Sequence, residues 1–350
     1  MKMKLFANEE KWDNFGGNIN IYSDLKETDI HKIIKEPNIH SLQFYEFTKP
    51  SEKTWQVLEH FYQQYPHIGL HIFWSEKINF DFLRHLPSVK RLAVSSFLTK
   101  DFSPIKDHLN LEELSLGGTK SKAVDLEFIS SFKNLRTFYN DGMKKGFEVL
   151  AKSNKLESLT LRCVKLDDLK FIENHASLRE LNLLYGSYKN LESIGSLKQL
   201  QRLEISRTRQ ISNYNFLHKL SNLESLCLEG ISKLDSLPSL DGLVNLTKIQ
   251  IDNNSQLKDI TNLNQLKKLE TFLLFYPKDF KPALRKGLTE QALGIIKTNE
   301  TIKSTNLWRL MSDQERVVLK ARNIDFWGYN PAVEKQFNKK SPETIRLQVV

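Results

Sequence analysis

The stretch LRELNL, Leu178–Leu183, returns as LQRLEI, Leu200–Ile205, and again at an almost equal step as LESLCL, Leu223–Leu228. Working outward, the same pattern stands upstream as LESLTL (Leu156–Leu161) and LEELSL (Leu111–Leu116), and downstream as LTKIQI (Leu246–Ile251). Weaker copies continue the series at Val89-Leu92-Val94, Leu70-Ile72, Ile39-Leu42-Phe44, Leu135-Phe138 and Leu269-Phe272-Leu274. About eleven units therefore lie between residues 39 and 275, and Ile19 with Ile21 in NINIY sits where one further degenerate strand falls. The last two apolar positions of each copy are separated by a single residue, which puts both on one face of a short strand. A single strand with its return segment cannot bury that face alone. A near-constant period carrying this pattern predicts stacked units that share one apolar spine.

The return segments are patterned as well. Leu234, Leu237, Leu240 and Leu243 recur every three residues, as do Leu257, Ile260, Leu263 and Leu266, a spacing that fits 3₁₀ or extended turns. On these residues the chain resembles the short, roughly 22-residue leucine-rich class found in bacterial internalins and phosphatase-regulator-like repeat proteins, over about two-thirds of its length. The resemblance implies an α/β leucine-rich-repeat solenoid, or horseshoe, with a parallel concave sheet, a convex side of 3₁₀ turns and a helical C-terminal cap. It says little about function, because this repeat class serves many partners. One departure stands out. The family places Asn at the ninth position of each unit to bond the turning backbone, whereas Thr119, Val164, Gly186, Thr208 and Ile231 stand there and only Asn254 matches. A less regular solenoid is expected.

A repeat array needs capped ends, and the chain divides on that basis. Residues 1–38 are read as an N-terminal cap combining NINIY with a helix over about Thr28 to Lys35, 39–275 as the array, and 276–350 as a helical C-terminal cap. That last segment reads as two helices, one starting at the capping-box pair Ser312 and Glu315; the end, QFNKKSPETIRLQVV, is expected to fray. The unit containing Asn140-Asp141-Gly142 sets a polar residue at an inward position, which predicts a bulge or bend in the sheet.

The start of the chain carries no long apolar run, so neither a signal peptide nor a membrane anchor is expected, and the location expected is cytoplasmic, in a cell of bacterial type. The acceptor patterns Asn245-Leu246-Thr247 and Asn299-Glu300-Thr301 carry no role on that reading. The chain has a net charge of +9, of which residues 276–350 hold +6. Lys286, Arg309, Arg316, Lys320, Arg322, Lys339 and Lys340 are dispersed among acids there, without the clustered cations and interleaved aromatics of a nucleic-acid face.

No catalytic, cofactor or metal constellation is legible. Cys163 and Cys227 lie three strands apart, roughly 14 Å at the usual strand spacing, and are read as free thiols. His67 and His71 share a face only on a helix, and HIGLHIF reads as a strand. Gly117-Gly118-Thr119-Lys120-Ser121 lacks the glycine offsets of a phosphate loop. An enzyme would have to use Asp313, Glu315 or Asp325.

Binding is the remaining role. Between the inward leucines runs an outward column, Gln43, His71, Ala93, Ser115, Tyr139, Thr160, Asn182, Glu204, Cys227, Gln250 and Leu273. Beside it run Tyr45, Phe73, Trp74, Asp141, Arg162, Tyr185, Arg207, Glu229, Asp252, Phe275 and Tyr276. Exposed Tyr, Trp and Arg supply much of the energy at protein interfaces. Tyr139, Arg162, Tyr185 and Arg207 are the favoured contacts, with Glu204, Glu229, Phe73, Trp74 and Tyr276 as further candidates. The expectation is a non-enzymatic scaffold, a monomer that grips a protein partner on its concave face. Two alternatives remain: an immunity or inhibitor protein blocking a toxin or enzyme, and attachment to nucleic acid or an anionic surface through the C-terminal segment.

Overall fold

A computed structural model describes residues 10–327 apart from 46, 122 and 123. Among these residues one sheet of fifteen strands runs the length of the molecule. Its first pair, Trp12–Phe15 and Asn18–Ile21, is antiparallel, and every later pairing is parallel. Chemically equivalent residues are brought side by side: Leu159, Leu181, Leu203, Leu226, Ile249 and Phe272 are successive register partners. All are at most 2% exposed. Each fully buried Leu or Ile of this spine stabilises the stack by about 1.5–3 kcal/mol.

The return path carries the three-residue periodicity. Short 3₁₀ helices such as Glu192–Ser196, Asn215–Lys219 and Thr261–Gln265 cover the far side of the core. The leucine-rich solenoid with a parallel sheet and a 3₁₀ convex side is thus the observed fold.

Among the described residues four α-helices interrupt this regularity. Helix α1 (Glu27–Ile33) lies where NINIY requires a cap. Helix α2 (Glu52–Gln64) is not anticipated by the repeat, although Ser51 caps it by accepting a bond from the Thr54 backbone N–H. Its buried residues Trp55, Leu58, Phe61 and Tyr62 have helical spacing. Helix α3 (Pro282–Thr298) begins on a proline, which loses no helical hydrogen bond there. Helix α4 (Asp313–Ala321) starts at Ser312, whose hydroxyl and the Glu315 carboxylate exchange bonds with each other's backbone N–H. The sheet does not stop at Phe275. Ser304–Thr305 and Asp325–Phe326 add two more parallel strands, so α3 and α4 occupy the place that 3₁₀ turns hold earlier in the chain. The end of the chain from 328 on, including Lys339 and Lys340, lies outside the described residues.

The expected bulge at Asn140 is corrected. Thr137–Asp141 pairs without interruption with Ser158–Arg162, and Asn140 sits opposite Leu161. Its buried side chain is accommodated by donating to the Met143 carbonyl at 3.1 Å, which turns the chain without disturbing the ladder. The unusual backbone lies just past the strand, at Gly142 with φ +82°.

Gly142 opens a row. Cys163, Tyr185, Arg207, Gly230 and Asn253 occupy the same left-handed corner in the next five units, with φ between 49° and 60°. Each donates its N–H to the carbonyl that ends the following strand, for example Tyr185 to Ser206 at 2.8 Å and Arg207 to Glu229 at 2.7 Å. This backbone ladder runs through all of these units, whether or not an asparagine follows the corner. Asn254 shows what the side-chain version does: it donates to the Leu228 carbonyl at 2.9 Å and accepts from the Ile231 N–H at 2.7 Å. Asn306 repeats the pattern on Leu274.

Candidate functional site

The corner row decides how side chains meet on the exposed face. A residue at left-handed φ turns its side chain away from the strand direction, so Tyr185 and Arg207 leave the sheet one position beyond Arg162 in register. The Tyr185 ring then lies between two guanidinium groups, with Arg162 and Arg207 each 5.4 Å from its centroid. Each arginine is anchored on its outer side. Arg162 Nη1 donates to Asp141 Oδ2 at 2.6 Å, and Arg207 Nε donates to Glu229 Oε1 at 2.9 Å. The second oxygen of Glu229 accepts from the Ser206 hydroxyl at 2.7 Å. The result is one stack across five adjacent units, Asp141, Arg162, Tyr185, Arg207 and Glu229. A surface-exposed cation–π contact is worth about 0.5–1 kcal/mol, so the stack orders the side chains more than it stabilises the fold. Tyr185 stays 47% exposed.

Tyr139 and Glu204 lie in the neighbouring column, half-buried beside the stack. Burial, and then the charge of Asp141, raises the Tyr139 hydroxyl above its ordinary range. Burial, reinforced by Glu229 and Glu180, raises the Glu204 carboxyl. Asp252 is raised for the same reasons, burial first and Glu229 second. Cys227, register partner of Glu204, has its thiol pushed up to about 12 by burial and by Glu204, Glu229 and Asp252. A thiol held protonated in this way is not a nucleophile. The face therefore has two chemistries in contact: a cationic and aromatic stack, and an acidic patch around Cys227.

The other candidates are placed apart. Phe73 is half-buried, stacked on Tyr45 with centroids 5.2 Å apart and meeting His71 edge-on at 5.6 Å. The strand it sits on is four strands from Arg162, about 19 Å at the usual spacing. Trp74 is a correction: it is 7% exposed and packs inward near Phe82, because the next residue along a strand faces the core. Tyr276 sits under α3, stacked on Phe280 at 5.8 Å with its hydroxyl bonded to Thr289 at 2.9 Å. The sequence columns named Asp141 and Glu229 but not their role, since a counterion that lies a whole unit away along the chain is visible only once register is known.

The C-terminal cations are engaged locally. Arg322 donates to the carbonyls of Ile296 and Asn299 and so caps the end of α3. Glu315, one of the acids an enzyme would have needed, is held down at about 2 by Lys297 and by its capping bonds to Ser312. Cys163 and Cys227 are both free. Among the described residues no three His, Cys, Asp or Glu side chains are grouped to hold a metal ion, and no helix is long and apolar enough to cross a membrane.

Comparison with known proteins agrees on architecture. No family model matches the chain. A Trypanosoma equiperdum protein provisionally named an adenylate cyclase regulatory protein is 27% identical over 192 residues, 51% of this chain and 29% of that protein. The chain thus spans less than a third of the length of that relative. Among solved structures, an internalin from Listeria monocytogenes superposes with a TM-score of 0.53 at 16% identity, covering 83% of this chain and 79% of the internalin. A chain of the Drosophila Toll–Spätzle complex gives 0.56 at 16% identity, covering 83% of this chain and 40% of its own. The fold is that of the internalin-like leucine-rich-repeat proteins.

Proposed function

We propose that the chain is a protein-interaction scaffold, without catalytic activity of its own, whose concave face grips a protein partner. The observation that carries this reading is the ordered stack from Asp141 to Glu229 with Tyr185 at its exposed centre. Interfaces concentrate their energy in a few Tyr, Trp and Arg residues, and where their rotamers are already fixed less side-chain entropy is lost on binding. The acidic patch beside it selects a partner surface that brings basic groups to Glu204, Glu229 and Asp252 and aromatic or acidic groups to Arg162, Tyr185 and Arg207. The cation-rich C-terminal segment is less suited to binding, since Arg316 and Arg322 already serve the caps.

The test is affinity capture from the native cell with the wild-type chain and with a Tyr185→Ala, Arg207→Ala double variant, at matched thermal stability. Partner recovery should fall at least tenfold in the variant. Unchanged recovery would remove the concave stack from the interface.

A further inference from the structure

Beside the corner row the structure has a groove of about 750 Å³ whose far wall the concave-face reading does not use. One wall is the corner row itself, including Cys163, Tyr185 and Arg207; the opposite wall is a row slightly further along each unit, Lys165, Ser187, Arg209, Ser232 and Ser255. Lys165 pairs with Ser187 in a short parallel bridge, and Ser187 pairs with Arg209 in the next, so the two cations flank one serine hydroxyl from adjacent units. Their backbones are two strand spacings apart, roughly 10 Å, a gap that both side chains can close from either side. Among the described residues no carboxylate lines the groove. Among the same residues neither Lys165 nor Arg209 is paired with an acid, whereas Arg207 is committed to Glu229.

The floor is built for a polar occupant. Thr208 lines the groove at 2% exposed, and among the described residues its Oγ1 makes no hydrogen bond of good geometry, although it stands close enough to the Tyr214 hydroxyl to lower that group. Tyr188 is fully buried and its hydroxyl is also unpartnered. It lies beneath Gly186, where an added Cβ would come within 2.7 Å of that hydroxyl. Gly186 therefore permits the close approach of the Tyr188 ring beneath the groove. A buried hydroxyl without a partner is costly and rare, and Thr208 in the lining of an acid-free groove, beside two cations unpaired among the described residues, points to a bound anion that accepts hydrogen bonds.

We propose that this groove is a binding site for a phosphomonoester group. Its charge of about −1.5 to −2 at neutral pH and its three acceptor oxygens match two cations plus the Ser187 and Ser232 hydroxyls better than a carboxylate, which brings one charge. Arg209 presents the planar fork suited to two phosphate oxygens, and Lys165 adds a point charge. The groove shares Tyr185 and Arg207 with the concave stack, but Lys165, Ser187, Arg209 and Ser232 lie outside that stack, so substitutions at Lys165 and Arg209 test this site apart from the concave-face reading.

The experiment follows the Arg209 Nε–Hε resonance in the full-length, ¹⁵N-labelled chain at constant ionic strength and pH 7.5. Inorganic phosphate and a phosphoserine-containing peptide are titrated separately, with the sulfoserine peptide and glycerophosphocholine as controls whose ester group carries a single negative charge. A saturable shift is expected with phosphate and the phosphopeptide, and at least tenfold weaker binding with both controls. Tighter binding of the peptide than of inorganic phosphate assigns the group to a macromolecular partner; equal binding assigns it to free phosphate. In a Lys165→Met, Arg209→Met variant, followed through the Ser187 and Ser232 amides, the shift should drop at least tenfold, and lowering the pH to 5.5 should weaken the wild-type response. A shift that persists in the variant, follows ionic strength alone, or is equal for the singly charged controls overturns the proposal.

Discussion

The sheet from Ser41 to Asp141 and the sheet from Ser158 to Phe275 share one register, yet they solve the same problem with different chemistry. In the earlier half the convex side is an aromatic wall: Trp55 on α2 stacks on Phe82 at 4.8 Å and packs against Phe44 at 5.1 Å. Leu42 and Leu70 are register partners across a longer unit than any in the later half, because the segment between them includes a whole helix. In the later half the spine steps almost evenly through Leu181, Leu203, Leu226 and Ile249, the convex side is leucine on 3₁₀ turns, and the exposed face is charged. The lesson is that the spine tolerates any return segment that refills its apolar side, whereas the exposed face is free to vary and so can carry recognition.

Breaking the two halves separately should show this. Trp55→Ala removes the centre of the aromatic wall and should cost about 3–5 kcal/mol, and Leu181→Ala in the regular half about 2–5 kcal/mol, both from lost burial plus a cavity. Urea unfolding followed by tryptophan fluorescence and by circular dichroism measures both. A loss under about 1 kcal/mol for Trp55→Ala, far below the usual cost of emptying a core site, would mean that α2 decorates the array without supporting it.

The corners give a finer contrast. Asn254→Ala leaves a buried N–H and a carbonyl unmet and should cost about 1–3 kcal/mol. Thr208→Ala, at the equivalent position two units earlier, removes an oxygen that has no partner and should change stability by less than about 0.5 kcal/mol. Equal costs at the two sites would show that the Asn254 side chain adds nothing to the backbone ladder that both units share.

Acidification distinguishes the buried histidines from the buried carboxyls of the exposed face by sign. Burial, with the nearby Arg91 charge, lowers His71 to about 4, below its unfolded value of 6.5. Between those values the unfolded chain binds the proton that the folded chain refuses, so this group's contribution falls as pH drops from 6.5 toward 4. His108 and His175 are lowered by burial in the same direction. Glu204 and Asp252 in the later half act oppositely, since their raised carboxyls take up protons more readily folded than unfolded. Replacing His71 with Gln should flatten the loss between pH 6.5 and 5 by about 1 kcal/mol, after allowance for a ring that is partly exposed. An unaltered slope would place the sensitivity elsewhere.

One small expected effect is a gain. Cys163 is exposed at φ +55°, in a row where Gly142 and Gly230 already occupy the same corner. Cys163→Gly relieves left-handed backbone at the expense of unfolded-state entropy, for a net gain of about 0.5 kcal/mol read from a chemical denaturation midpoint.

The repeat, the inward leucines, the period-three convex turns and the missing asparagines were all legible in the sequence, because each is a local periodicity that recurs where the physics of a strand or turn demands it. The start of α4 was legible for the same reason, since Ser312 and Glu315 hold the spacing of a capping box. Helix α2 is marked in the sequence only by the helical spacing of Trp55, Leu58, Phe61 and Tyr62, which the repeat pattern does not bring out. What only the tertiary structure decided is which side chains of different units touch. That Tyr185 stands between Arg162 and Arg207, that Trp74 turns inward while Phe73 does not, and that Lys165 and Arg209 flank Ser187 all depend on register and on a left-handed corner. Both are set by backbone hydrogen bonds between units, which leave no mark on the order of residues within any one of them.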